Sequence, residues 1–186
     1  MRKIILDLAV TVDGFIEGPN GEIDWIPSDG AMDFGDILNG ILVGIDTIFY
    51  GRVSYELWGN YQPPEGSDEK LKAAYRSLHS KQKYVFSTTL KQDDTDAIIV
   101  DSDIERKVKE ILKQPGGNIW LYGGGKLTTT FINLGLIDVY RLAVHPVILG
   151  EGKPLFKEIK EKVKLKNTKA TIAESGVVLL SYEADK

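Results

Sequence analysis

Short apolar runs alternate with amphipathic segments along most of this chain. Runs of this length that are rich in β-branched and aromatic residues and bounded by Gly or Asp predict buried strands. They are Ile4–Val10, Thr47–Tyr50, Lys83–Ser87, Ala97–Val100 and Ile119–Tyr122. Strands that alternate with helices must be joined by crossover connections, which predicts an α/β fold with a mainly parallel central sheet.

Four amphipathic segments between and after these runs predict helices. The first has apolar residues at the helical spacing from Phe34 to Leu42, and a second follows the same spacing from Leu71 to Leu78. In the third, Ser102 and Glu105 are spaced as a capping box, and Pro115 ends the helix. The fourth covers Lys126–Leu134.

The last part of the chain has a different pattern. Asp138–Leu149, Val163–Ile172 and Val177–Glu183 are strand-like, and no helical pattern separates the last two. We therefore expect antiparallel strands at one edge of the sheet. The chain has no internal repeat or linker, and its 186 residues suit one hydrophobic core. The sequence predicts a single domain over residues 1–186.

Composition excludes several classes of protein. The chain has no cysteine, which rules out thiol catalysis and cysteine–zinc sites and fits a cytoplasmic protein. It has 27 acidic and 23 basic residues with no basic stripe, so no nucleic-acid partner is expected. No apolar stretch approaches the roughly 18 residues of a membrane span. The two histidines, His79 and His145, are far apart, so no metal site is expected.

The glycine-rich stretch 123–126, Gly-Gly-Gly-Lys, does not match the known nucleotide motifs. A P-loop needs a glycine where the chain has Trp120 and a Ser or Thr where it has Leu127. The dinucleotide fingerprint needs a third glycine where the chain has Thr128. The G-x-S-x-G nucleophile motif of hydrolases is also missing.

Three junctions that follow predicted strands are nevertheless suited to phosphate. They are the glycines at 123–125, Gly51–Glu56 and Ser87–Thr89. Glycine lets a backbone approach a ligand closely, and a helix N-terminus offers free N–H groups to an anion. Because the carboxyl ends of parallel strands meet at one edge, the three junctions together favour a nucleotide-type ligand. The alternative is that they are tight turns without a ligand.

The ordered set of motifs resembles the dihydrofolate reductase superfamily. The set comprises AVTVDG at 9–14, Trp25, GRVSYE at 51–56, Ser87-Thr88 and YGGGK at 122–126. The run VYRLAVHPVILGEGKPLF at 139–156 is similar to the branch that contains the C-terminal reductase domain of bifunctional riboflavin-biosynthesis proteins. The resemblance covers nearly the whole chain and implies a dihydrofolate-reductase-like fold that binds NADPH and transfers a hydride.

The resemblance also assigns residues to NADPH by motif position. Ala9 and Ile16 would flank the nicotinamide; Gly51, Arg52 and Ser54 would meet the pyrophosphate and adenosine side; Ser87 and Thr88 would meet the 2′-phosphate; and Gly123, Gly124, Gly125 and Lys126 would lie at the pyrophosphate edge. Folate-type reductases carry a cis peptide between paired glycines, which implies the same at Gly123-Gly124.

The resemblance leaves the catalytic acid and the substrate open. Folate-type enzymes place one acidic residue on the helix after the tryptophan, and here Asp29 and Asp33 both compete for that position. Riboflavin-pathway reductases usually have a G-x-x-T…D-x-P pattern where this chain has the folate-type GRVSYE at 51–56. We expect an NADPH-dependent reductase of a pterin-like or pyrimidine-like compound. The alternatives are 5-amino-6-(5-phosphoribosylamino)uracil reductase and a non-catalytic nucleotide-binding module. The riboflavin-type branch also implies a homodimer.

Overall fold

The computed structural model describes residues 1–26 and 33–185. Within these residues the helices are α1 (Phe34–Leu42), α2 (Arg52–Ser54), α3 (Glu69–His79), α4 (Ile104–Leu112) and α5 (Gly125–Asn133), with a π-helical turn at Tyr55–Gly59 and a 3₁₀ turn at Gln92–Asp94. The strands are β1 (Ile4–Thr11), β2 (Phe15–Glu17), β3 (Ile45–Gly51), β4 (Gln82–Phe86), β5 (Ile98–Val100), β6 (Asn118–Gly123), β7 (Val139–His145), β8 (Lys153–Pro154), β9 (Leu165–Ile172) and β10 (Val178–Ala184).

Eight of these strands form one sheet in the order β5-β4-β3-β6-β1-β7-β10-β9. The strands from β5 to β7 are parallel, whereas β10 and β9 continue the sheet in antiparallel fashion. The predicted α/β class, with a mainly parallel sheet and an antiparallel edge, is therefore confirmed. The short strands β2 and β8 pair with each other outside the sheet.

Helices bury both faces of the parallel part, which explains why its strands are nearly continuous in apolar residues. Leu6 and the fully buried Phe131 belong to the core on the side of α4 and α5. Ile5 and Leu38 belong to the core on the side of α1 and α3. Because side chains alternate along a strand, β1 contributes to both cores. Truncating a buried aromatic such as Phe131 to Ala would cost about 3–5 kcal/mol.

The start of α4 differs from the prediction. The helix begins after Asp103, which has a left-handed φ of 48° and forms no side-chain cap. The hydroxyl of Ser102 donates instead to the carboxylate of Asp101, and Glu105 pairs with Lys109 one turn later. The predicted capping box is therefore wrong, because the left-handed residue turns Ser102 away from the helix amides.

The end of β7 also differs from the prediction. The strand ends at His145 rather than at Leu149. Pro146 follows directly and has no N–H group to donate to a strand ladder. Beyond it, the amides of Leu149 and Gly150 donate to the carboxylate of Asp13 at 3.1 and 2.8 Å. This contact fixes the loop after β7 against the turn between β1 and β2.

The amino ends of the central strands are joined by one buried cation. Arg2 donates to the carbonyl of Gly117 at 2.7 Å and to the hydroxyl of Thr47 at 2.6 Å, and it forms an ion pair with Asp46. Asp46 in turn accepts from the amide of Gly117 at 2.6 Å. The network ties the beginnings of β1, β3 and β6 together. In the part of the chain that the structure describes, no helix is both long and apolar enough to cross a bilayer.

Candidate functional site

The strand order brings the three phosphate-suited junctions to one edge of the sheet. Strands β4, β3, β6 and β1 are consecutive neighbours and run parallel. Ser87 follows β4, Gly51 ends β3 and Gly123 ends β6. Carboxyl ends of parallel strands are where ligands of open α/β sheets bind. The fold therefore places these junctions side by side.

The junctions after β3 and β6 are in direct contact through their glycines. A β-carbon on Gly51 would lie 3.4 Å from the carbonyl oxygen of Gly123 and 3.5 Å from the amide nitrogen of Gly124. A β-carbon on Gly124 would lie 3.0 Å from the hydroxyl oxygen of Ser54. Gly123 has a φ of +110°, which favours glycine, and the Gly123-Gly124 peptide is cis, as the resemblance implied.

The N-terminus of α5 lies at the centre of this edge. Gly124 is its N-cap residue and supplies no side chain to satisfy the first amides of the helix. Ile16 on β2 lies beside the next residue, because its Cδ1 atom is 3.9 Å from where a β-carbon on Gly125 would be. Lys126 is exposed in the first turn. Free amides, a positive dipole end and a nearby lysine together suit an anionic group.

Two predicted phosphate contacts have local partners in the structure. The exposed guanidinium of Arg52 donates to both carboxylate oxygens of Glu56, at 2.8 and 2.7 Å. The hydroxyl of Ser87 accepts from the amides of Thr89 and Leu90 at 3.1 and 2.9 Å, which closes the turn after β4. Thr88 lies exposed in that turn. The role of Arg52 at the pyrophosphate and adenosine side, and those of Ser87 and Thr88 toward a 2′-phosphate, stay predictions.

The structure describes one of the two candidate acids, Asp33. Asp29 lies outside the described residues. Asp33 is the N-cap of α1, where its carboxylate accepts from the amide of Asp36 at 2.9 Å and pairs with Lys70 at 2.7 Å. The hydrogen bonds from Lys70 and Asp36 hold the pKa of Asp33 below its ordinary value. These contacts favour a capping role for Asp33, and its service as a proton donor stays a prediction.

A charged pair that sequence reasoning missed lies on the middle of the sheet. Asp7 on β1 is in register with Arg141 on β7, and their Oδ2 and Nη1 atoms are 3.6 Å apart. Burial raises the pKa of Asp7 to about 6, and the nearby guanidinium opposes this rise. Asp7 is the one charge within the apolar run of β1. A charge inside a buried strand needs a partner, so the position of Asp7 in the sequence was itself a signal that such a partner exists.

Beyond this pair, the same face of β1 and β7 carries small residues. Ala9 is opposite Ala143, and two residues further along Thr11 is opposite His145. Side chains two residues apart on a strand share a face. Ala9 and Ala143 are both half-buried. The structure therefore places Ala9, predicted beside the nicotinamide, in the middle of a shallow surface formed by the Ala9–Ala143 row. We call this surface, with the rows on either side of it, the floor.

Two unsatisfied nitrogens lie at the far end of the floor. The rings of Trp25 and His145 pack edge to face with centroids 5.3 Å apart. Within residues 1–26 and 33–185, Trp25 Nε1 and His145 Nδ1 are buried and have no hydrogen-bond partner. Burial also lowers the pKa of His145 below its ordinary value, which favours the neutral ring. Unpaired buried polar atoms are uncommon in folded proteins.

A surface cavity of about 710 Å³ is found elsewhere. Arg2, Asp46 and Gln82 are among the residues that line it. These residues lie at the amino ends of the strands, on the opposite edge of the sheet from the glycine junctions. The cavity is bordered by the Arg2 network that joins the strands. It is therefore separate from the site to which the predicted residues converge.

Comparison with known proteins gives consistent matches. The family model described as the RibD C-terminal domain matches residues 2–179. Uncharacterized protein YyaP from Bacillus subtilis (strain 168) is 52% identical over 181 residues, which covers 97% of this chain and 94% of that protein.

Two solved structures share the fold. A protein from Shewanella sp. PV-4 assigned to riboflavin biosynthesis superposes with a TM-score of 0.78 at 21% identity and covers 100% of both chains. Dihydrofolate reductase from Enterococcus faecalis, complexed with NADP(H), superposes with a TM-score of 0.66 at 16% identity and covers 99% of this chain and 97% of that one. The predicted dihydrofolate-reductase-like fold is therefore confirmed.

Proposed function

This chain belongs to the RibD C-terminal domain family, and from that premise we propose that it is an NADPH-dependent reductase of a small pterin-like or pyrimidine-like compound. Its fold is that of the dihydrofolate-reductase-like reductases. The single observation that carries the proposal is the convergence of Gly51, Ser54 and Gly123–Gly125 around the uncapped start of α5. That arrangement is what a dinucleotide pyrophosphate needs.

The residues at this edge fit the cofactor. The absence of side chains at Gly51, Gly123 and Gly124 leaves backbone amides accessible, and the start of α5 supplies further donors. Arg52 extends from the junction after β3. Its guanidinium would give up its ion pair with Glu56 and bind a 2′-phosphate instead, through short charge-assisted bonds. Bound NADPH would supply the hydride, while the protein supplies binding and orientation.

The nicotinamide end would lie toward β1. Ile16 is beside Gly125, and Ala9 is on the floor between β1 and β7. A small residue at position 9 leaves room for a flat ring over the strand. The substrate would then lie on the same floor, next to the nicotinamide. The pyrophosphate, the nicotinamide and the substrate would therefore lie in this order along the edge of the sheet, from the glycine junctions to β7.

Cofactor titration tests the proposal directly. Intrinsic fluorescence should be quenched on addition of NADPH, with an affinity at least about tenfold higher than for NADH, a difference of about 1.4 kcal/mol. NADPH oxidation should then be observed with members of a panel of reducible pterins and aminopyrimidines. A protein that binds neither nicotinamide cofactor would refute the proposal.

A second candidate follows from the family itself. The chain would then act as 5-amino-6-(5-phosphoribosylamino)uracil reductase, and the Shewanella structure's assignment to riboflavin biosynthesis supports including it. Turnover confined to that phosphoribosylated substrate would establish this candidate. NADPH binding without turnover of any panel member would instead indicate a nucleotide-binding module.

We also propose that the protein acts as a cytoplasmic homodimer, as the riboflavin-type branch implies. Sedimentation equilibrium of the purified chain gives the test. A mass of twice 20.6 kDa is expected, and a concentration-independent mass of 20.6 kDa would contradict the homodimer.

A further inference from the structure

The floor on β1 and β7 is bounded by polar groups at both ends. The Asp7–Arg141 row lies two residues before the Ala9–Ala143 row, and the Thr11–His145 row lies two residues after it. With a rise of about 3.3 Å per residue, the outer rows are about 13 Å apart. A one- or two-ring heterocycle fits within this length, beside the nicotinamide that is proposed to lie over Ala9.

The charged pair keeps most of its hydrogen-bonding capacity. The closest approach of Asp7 and Arg141 is 3.6 Å, which is beyond the range of a hydrogen bond. Within residues 1–26 and 33–185, neither side chain makes a shorter polar contact. The side chain of Asp7 is 16% exposed and that of Arg141 is 40% exposed. An acceptor and a set of donors therefore lie side by side at the end of the floor.

A second observation indicates that the floor is a ligand site. His145 is 1% exposed and its Nδ1 atom has no hydrogen-bond partner among the described residues. It lies on the same face as Ala143, one row further along β7. The described residues leave this buried nitrogen unsatisfied, at a cost of about 1–3 kcal/mol. A polar group carried by a bound molecule would satisfy it.

We propose that Asp7 and Arg141 select the substrate by binding the cyclic-amide edge of its ring, an inference that rests on the proposed reductase function. The carboxylate accepts from the ring N–H, and the guanidinium donates to the adjacent ring carbonyl. An amidine edge, in which an amino group replaces that carbonyl, would direct its donors at the donors of Arg141. The pair therefore favours oxo-heterocycles over their amino analogues.

Two matched probes test the selection without the cofactor. Pterin and 2,4-diaminopteridine share both rings and differ in whether the edge carries a carbonyl or an amino group. Affinities measured by ligand-observed NMR should favour pterin by about tenfold or more for the wild-type protein, or about 1.4 kcal/mol. In Arg141→Met, which keeps a long apolar side chain without donors, the preference should fall below about twofold.

Further variants separate binding from folding. Asp7→Leu should weaken pterin about tenfold, and the double variant Asp7→Leu/Arg141→Met should stay folded because an ion pair can be replaced by apolar residues of similar size. Glu105→Gln is the matched control, since it removes the charge of an exposed ion pair with Lys109 on α4, which packs on the opposite face of the sheet. It should keep the wild-type affinities.

The outcomes distinguish the two proposals. Loss of the preference for pterin in Arg141→Met, with NADPH affinity unchanged, supports the inference. An unchanged preference in that variant, or a wild-type protein that binds neither probe or both equally, overturns it. Failure of the wild-type protein to bind NADPH rejects the reductase function, while the NMR comparison still decides whether Asp7 and Arg141 recognise a cyclic amide.

Discussion

Gly124 lies directly against Ser54, so that a β-carbon on the glycine would be 3.0 Å from the serine hydroxyl oxygen. Gly124→Ala would therefore displace Ser54 and fill the gap between the junctions after β3 and β6. We expect NADPH to bind at least about tenfold more weakly in a fluorescence titration. Gly40→Ala is the control because its methyl group meets no other atom within 4 Å. Wild-type affinity in the Gly124→Ala variant would contradict the pyrophosphate assignment.

Arg52 gives a prediction about cofactor choice. If its guanidinium contacts the 2′-phosphate, Arg52→Ala should weaken NADPH by about tenfold and leave NADH nearly unchanged, because only NADPH carries that phosphate. Glu56→Gln should keep or raise NADPH affinity, since it releases Arg52 from its ion pair. Parallel titrations with both cofactors provide the measurement. Equal losses for the two cofactors would assign Arg52 a structural role.

Asp33 can be tested with two substitutions. On its observed contacts, Asp33→Asn should preserve both stability and turnover, because asparagine caps a helix about as well as aspartate. Asp33→Ala should lower the free energy of unfolding by about 1 kcal/mol through loss of the cap. Urea unfolding and the rate of NADPH oxidation are the measurements. A large loss of turnover in Asp33→Asn would instead establish the role of a proton donor.

The raised pKa of Asp7 predicts how stability depends on pH. Its pKa is about 6 in the folded protein, above the ordinary value of 3.8, so the folded state binds the proton more tightly than the unfolded state. The contribution of Asp7 to the free energy of unfolding should therefore fall as the pH rises from 3.8 to about 6. The loss relative to Asp7→Asn should reach at most about 3 kcal/mol.

Urea unfolding of both proteins across this pH range gives the measurement. The charge on Arg141 is constant over the range, and His145 is present in both proteins, so their contributions cancel in the difference. A difference in the free energy of unfolding that does not change with pH would show that the Asp7 carboxyl titrates normally.

Much of the fold could be predicted because its signals are local. The run Ile4–Val10 differs from the observed β1 by one residue, and the apolar spacing in Phe34–Leu42 gives the bounds of α1. The junction glycines could be found for the same reason, since each follows a recognisable strand. Their common edge then follows from the parallel arrangement of the strands.

The missed features depend on contacts between distant parts of the chain. Asp7 and Arg141 become a pair only through the register of β1 and β7, which a single sequence does not specify. The capping box failed because one left-handed residue, Asp103, changed the direction of the chain before α4. The ion pair of Asp33 with Lys70 could not be predicted either, because it depends on α3 packing beside α1; the catalytic role of Asp33 stays a prediction.

The position of β1 between β6 and β7 has a consequence for synthesis. Strand β1 pairs with β6 and β7, which are both synthesised later, so it has no neighbour in the sheet until residues 118–123 have been made. Folding that depends on such distant pairings is slow compared with folding through local contacts. The nascent chain must therefore keep this apolar strand unpaired until then, which makes the segment a natural site for chaperone binding during translation.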